Sequence, residues 1–208
     1  MQNPGQAHWE AVKRVINYLE GTKELWLTFR GKGRVELEGY CDSDWASQPH
    51  HHSISGFSFH YRQGTVSWSS KKQGIITLLS TEAKYVAESH ARKPFVREIM
   101  GWPIDPLTIK ADNQGAIVLV KDNKFHARTI HINLHYHFVH EAVEDGKIKM
   151  EYIPTLENVM DIFTKALAKP KFLEFVGMLG LVIMKEWRAS TSLFQDKQGR
   201  PYLELSCD

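Results

Sequence analysis

Apolar positions at 9, 12, 15, 16 and 19 recur at helical spacing and predict a helix over 7–20, with Gly21 as its stop. A short strand, Trp26-Leu27-Thr28-Phe29, and a basic turn over 30–34 follow. From 35 the period shortens towards two. Leu37 to Cys41 reads as one strand and Ser55 to Tyr61 as a second, with Phe57, Phe59 and Tyr61 on one face. The turn Arg62-Gln63-Gly64 leads into a third strand, Thr65 to Ser70, so these two form a hairpin. Trp68, Phe57 and Phe59 are expected in the core, because alternation already accounts for them.

After residue 80 the period lengthens again. Ser80-Thr81-Glu82 opens a helix, with Ser80 as N-cap, an acid in the first turn and Ala83, Val86, Ala87 and Ala91 as its apolar face. Leu107 to Ala111 is a fourth strand and 112–120 a short helix. A helix is expected from Thr129 to Glu144, a fifth strand from Lys147 to Ile153, and helices over 156–167 and 171–180. The order βββαβααβα predicts an α/β fold, a mixed five-stranded sheet flanked by helices. The expected domains are an adaptor over 1–34, the sheet domain over 35–169 and a C-terminal helix and tail over 170–208.

Composition narrows the class. The chain has 208 residues, 42% apolar and 24% charged, enough for one domain with a real core. Its net charge of +2 confines any polyanion-binding surface to a local patch. Two cysteines exclude a disulfide framework and suggest a reducing, intracellular setting. No apolar run is long enough to span a bilayer, so no membrane partner is expected.

The candidate chemistry centres on Gly39-Tyr40-Cys41-Asp42-Ser43-Asp44-Trp45. Asp42 and Asp44 share a face of the strand end, where a carboxylate can reach a metal ion, although many Asp-x-Asp pairs are only loop acids. Asp112 lies at the end of the fourth strand and Asp161 on a late helix. Ligand crevices in open α/β sheets lie at strand ends, and oxygen-only ligands favour Mg²⁺ or Mn²⁺. The run His50-His51-His52 is a solvated loop, because three adjacent imidazoles cannot all face one ion.

The chain resembles the ribonuclease H domain of copia-type retrotransposon polyproteins from about residue 4 to 181. The motifs are Tyr40-Cys-Asp-Ser-Asp-Trp-Ala46, Ser55-Gly-Phe57, Val66-Ser-Trp-Ser-Ser-Lys-Lys-Gln73 and Leu79-Ser-Thr-Glu-Ala83. They continue with Ala111-Asp-Asn-Gln-Gly-Ala-Ile117, Phe125-His-Ala-Arg-Thr-Ile-His131, Tyr152-Ile-Pro-Thr155 and Asp161-Ile-Phe-Thr-Lys-Ala-Leu167. The helix before Gly21 resembles the segment that links the reverse transcriptase to this domain.

The resemblance implies a ribonuclease H-type endonuclease. Two Mg²⁺ or Mn²⁺ ions held by four carboxylates would cut the RNA strand of an RNA/DNA hybrid, in a polyprotein that also carries a reverse transcriptase. The expected setting is a cytoplasmic virus-like particle or the nucleus. Asp42, Asp112 and Asp161 match the first, third and fourth acids. At the second, where the family has Glu, stands Lys84. Glu88, one turn on, is the only substitute on that face, and only if the helix shifts.

The resemblance further implies that Ser80 and Thr81 face a phosphate and that Asn113 and Gln114 face the minor groove, where 2′-hydroxyls distinguish RNA from DNA. Lys71, Lys72 and Gln73, and a second cluster of His126, Arg128 and His131, are candidate phosphate contacts or solvated surface. Two functions follow: a metal-dependent nuclease impaired at Lys84, or a catalytically inactive hybrid-binding module of the same fold.

Overall fold

The computed structural model describes residues 3–29, 37–47, 49–94, 106–121 and 140–183. The chain divides into two compact units, 1–28 with 181–208, and 29–180.

In the first unit, α1 (Gln6–Thr22) runs through Gly21, and β1 (Leu25–Leu27) pairs antiparallel with β7 (Leu181–Ile183). Trp26 stands opposite Val182.

The second unit is built on β2 (Leu37–Asp44), β3 (Ile54–Tyr61), β4 (Gly64–Lys72), β5 (Leu107–Ala111) and β6 (Ile148–Tyr152). The sheet is mixed and five-stranded, in the order β4-β3-β2-β5-β6. The hairpin pairs antiparallel and β5 and β6 join parallel. Between the strands lie α2 (Ser80–Pro94) and α3 (Gln114–Lys121), followed by α4 (Asp161–Thr164) and α5 (Lys169–Met178). Residues 140–144 are helical and belong to the helix expected over 129–144, most of which lies outside the described residues.

Alternation places Cys41, Phe57, Phe59 and Ile109 in one core with Tyr85 and Val86 of α2 and Ile117 and Val120 of α3. Two expectations are corrected. Trp68 is 58% exposed. It pairs with Ser58 on the edge strand β4, on the face opposite Phe57 and Phe59. The helix expected over 156–167 is a 3₁₀ turn (Thr155–Glu157) followed by the four residues of α4. Asn158 divides them: its amide donates to the Cys41 carbonyl (3.0 Å) and its oxygen accepts from the Met160 N–H (3.2 Å). Such side-chain bonds compete with helix propagation. Leu156, in the 3₁₀ turn, is exposed.

Candidate active site

The parallel register sets the site. Cys41 of β2 stands beside Ala111 of β5, so Asp42 and Asp112 leave neighbouring strands side by side. Across β2, Asp42 pairs with Gly56, and that pairing lets α4 come down on the sheet. A Cβ at position 56 would lie 2.9 Å from Thr164 Cγ2 and 3.2 Å from Phe163 Cβ. With hydrogen there instead, Thr164 reaches Asp42 Oδ2 and donates to it at 2.6 Å.

Two lysines tie the three aspartates together. The Lys84 ammonium lies 3.2 Å from Asp42 Oδ1 and also donates to Asp112 Oδ1. The Lys165 ammonium lies 3.2 Å from Asp42 Oδ2 and 2.6 Å from Asp161 Oδ1. The result is an alternating chain, Asp112–Lys84–Asp42–Lys165–Asp161, with Asp42 at its centre. The side chains of Asp42 and Asp112 are almost fully buried, whereas Asp161 lies nearer the rim.

Titration follows the geometry. Burial raises the Asp42 carboxyl, but Lys84, Lys165 and the Thr164 hydroxyl outweigh it, and the group lies below the usual carboxylate value. For Asp161, burial together with the Asp42 charge outweighs the pull of Lys165, and the carboxyl is raised. Burial lowers both ammoniums, but the aspartates they pair with overcome it, so Lys84 and Lys165 are held protonated.

Glu88 lies apart from the chain. It is 1% exposed, and neither carboxylate oxygen has a hydrogen-bond partner among the described residues. Burial, with the Asp112 charge adding, pushes its carboxyl up to about 8 against the opposing pull of Lys84. Burial thus favours its protonated form in the absence of a cation.

Three aspartate carboxylates are the right donors for a hard divalent ion, yet the arrangement does not fit a pair of them. Asp42 meets an ammonium on each oxygen, and Asp112 and Asp161 meet one on Oδ1; these groups accept nothing and repel cations. Among the described residues, no group of three His, Cys, Asp or Glu is arranged to hold a metal ion.

The residues expected to touch nucleic acid fall into three sets. Thr81, at the start of α2, lies against Gly115: a Cβ there would be 3.4 Å from Thr81 Cγ2. Thr81 and Asn113 therefore meet around Gly115, and the neighbouring Gln114 is exposed. Asn113 also caps α3, its Oδ1 accepting from the Ala116 N–H at 2.8 Å. Just ahead of α2, Glu82 Oε2 accepts from Leu78 N–H (2.8 Å) and Leu79 N–H (3.3 Å), so Glu82 reaches back over the helix start where Ser80 is the expected cap. Lys71 and Lys72 are exposed at the end of β4. Gln73 is not part of a basic surface. It is buried and donates to Ser55 Oγ and the Ala83 carbonyl, both at 2.8 Å, pinning α2 to the hairpin. His126, Arg128 and His131 lie outside the described residues.

Two residues beyond the expected set complete the site, Thr164 and Lys165. The second had a legible signal, an Asp161–Lys165 pair at i,i+4. Asp44 ends β2 opposite Ile54 and takes no part in the lysine pairing. In the histidine loop, His52 bonds the Gln73 carbonyl through Nδ1 (2.8 Å), while His50 and His51 are exposed.

No protein-family model matches the chain. The retrovirus-related Pol polyprotein from transposon TNT 1-94 of Nicotiana tabacum is 38% identical over 188 residues, which are 86% of this chain and 14% of that protein. The Pol polyprotein from transposon RE2 of Arabidopsis thaliana is 32% identical over 189 residues, 88% of this chain and 13% of that protein. The chain thus spans only about one-seventh of these relatives' length. Among solved structures, LC11-RNase H1, isolated from compost by a metagenomic approach, matches with a TM-score of 0.51 at 16% identity. The match covers 63% of this chain and 94% of that one, and it identifies the fold as ribonuclease H-like.

Proposed function

Because the chain belongs to the retrovirus-related Pol polyproteins of copia-type transposons and has a ribonuclease H-like fold, we propose that it is their ribonuclease H module, an RNA/DNA-hybrid-binding domain whose hydrolytic centre is held closed by Lys84. One observation carries this reading: the Lys84 ammonium sits between Asp42 Oδ1 and Asp112 Oδ1. A fourth carboxylate there would complete an acidic site open to Mg²⁺ or Mn²⁺, the ions through which such nucleases hydrolyse a phosphodiester. An ammonium removes one ligand and supplies the positive charge itself. At an effective dielectric of about 20, two unit charges about 4 Å apart interact by roughly 4 kcal/mol, and a divalent ion doubles the repulsion.

Binding does not need that centre. Thr81 at the start of α2 and Asn113 just ahead of α3 meet around Gly115, where the positive ends of the two helices favour a phosphate, and Gln114 is exposed to meet a 2′-hydroxyl. Lys71 and Lys72 extend the surface with positive charge. The natural partner in the same polyprotein is a reverse transcriptase, which produces the hybrid. The setting would be a cytoplasmic particle or the nucleus.

Cleavage of a labelled hybrid in Mg²⁺ or Mn²⁺ tests the reading. The protein as it stands should cleave at least 100-fold more slowly than Lys84→Glu. Full-rate cleavage unchanged by Lys84→Glu would overturn it.

A further inference from the structure

Lys165 occupies the other side of Asp42 and has no part in the reading above. Its backbone is fixed: it caps α4 in an extended conformation (φ −128°, ψ 153°), and its N–H donates to the Asp161 carbonyl at 2.9 Å. The side chain turns back along the four-residue helix to place its ammonium between Asp42 Oδ2 and Asp161 Oδ1. It is 29% exposed, against 17% for Lys84, so a path to solvent lies open to it. Thr164, its neighbour, holds the same Asp42 oxygen at 2.6 Å and keeps the carboxylate aimed at this position when Lys165 moves.

We infer that Lys165 is a second built-in cation: in the metal-free fold its ammonium neutralises the Asp42–Asp161 pair, and a divalent ion entering between these carboxylates must displace it. The charge balance requires this. Three carboxylates against two ammoniums leave one negative charge. Two divalent ions added to that set would leave three positive charges around largely buried groups, a state of high self-energy. Replacing Lys84 therefore opens one side of Asp42, while on the other side every ion still competes with an intramolecular ammonium. Lys165 acts as a positioning residue. It holds the Asp42 and Asp161 carboxylates together, and it weakens the affinity for the ion that replaces it.

The inference rests on reading Asp42, Asp112 and Asp161 as the cation-facing set, but not on hybrid binding, so the test is of ion binding alone. Calorimetric titration with Mn²⁺ compares Lys84→Glu with Lys84→Glu/Lys165→Gln. The double variant should bind Mn²⁺ at least tenfold more tightly. A difference below threefold overturns the inference, as does the absence of binding in both, because the ammoniums would then not be what excludes the ion. A second measurement avoids the double variant. Mn²⁺ should raise the melting temperature of Lys165→Gln in the otherwise unchanged chain and leave the unaltered protein unmoved; equal shifts in the two would overturn the inference. A failure of hybrid binding by the unaltered protein would sink the proposed function and leave this result standing.

Discussion

Asp42 receives a cation on each of its oxygens, and this explains how three aspartates coexist at the end of one sheet. Removing Lys84 leaves Asp42 and Asp112 buried with one partner fewer. Breaking a buried pair by deleting one member typically destabilises by 3–5 kcal/mol, so Lys84→Met should lower unfolding free energy by about 3 kcal/mol at pH 7 in urea titrations. Asp42 sets the acid limit of that effect. Its folded carboxyl lies below the ordinary value of 3.8, so its contribution is present above that value and is lost as pH falls through the lower, folded one. The gap between Lys84→Met and the unaltered protein should therefore narrow in that acid range. Glu88 behaves oppositely. Its carboxyl rises from 4.5 to about 8 on folding, so the folded state holds a proton that the unfolded state has released. Its contribution is fully present below 4.5 and is lost as pH rises through about 8. Glu88→Gln, which mimics the protonated acid, should flatten the decline in stability between pH 5 and 8 and make the protein more stable than its parent at pH 8. A parallel decline in both proteins would show that Glu88 ionises without penalty. At this scale the sequence was most legible where it departed from a pattern: Lys84 stands where an acid is expected. Thr164 was harder to read, because its role depends on α4 descending over Gly56, a tertiary event with no local signature, whereas Lys165 was signalled only as the i,i+4 partner of Asp161.

Elements position these residues through a few close approaches. The antiparallel hairpin and the strand β5 could be read from period-two alternation and turn chemistry, because strands that bury one face must alternate, but not the parallel sense of β5. The stretch after β6 could not be read in this way. Apolar residues at 156, 159, 160 and 163 imitate a helical stripe, while Asn158 spends its side chain on the Cys41 carbonyl and the Met160 N–H and stops the helix between them. That interruption lets α4 start afresh at Asp161 and present Thr164 and Lys165 to Asp42. The approach is tightest at Gly56, where a methyl would press on Thr164 at 2.9 Å and on Phe163 at 3.2 Å. Gly56→Ala should therefore push α4 outward, at a cost of about 1–3 kcal/mol, as for overpacked cores. It should also lengthen the Thr164–Asp42 bond. Urea denaturation measures the first effect and a crystal structure of the variant the second. An unchanged midpoint would mean that α4 yields freely, and Asp42 would then be held chiefly by its lysines.

Over the whole molecule, a net charge of +2 gives little general attraction to nucleic acid, so the proposed binding rests on the local surface around α2, α3 and the end of β4. Two kinds of contact meet there, and they make separable predictions. If Lys71 and Lys72, exposed at the end of β4, meet phosphates, they do so whatever the sugar. Replacing both with alanine should weaken binding to RNA/DNA hybrid and duplex DNA alike. It should also reduce the slope of log affinity against log salt by about 2, because each phosphate neutralised contributes about 0.9. Gln114 is exposed beside the α3 N-terminus and carries no charge. If it reads a 2′-hydroxyl, Gln114→Ala should leave the salt slope unchanged and cut the preference for hybrid over duplex DNA several-fold. Asn113 is a poorer probe, because its Oδ1 already caps α3 and its loss would disturb the helix. Fluorescence anisotropy with both nucleic acids between 50 and 200 mM salt would separate the two effects. If the unaltered protein bound hybrid and duplex DNA equally at every salt concentration, this surface would be a general polyanion site, and the assignment to hybrids would fail at its first step.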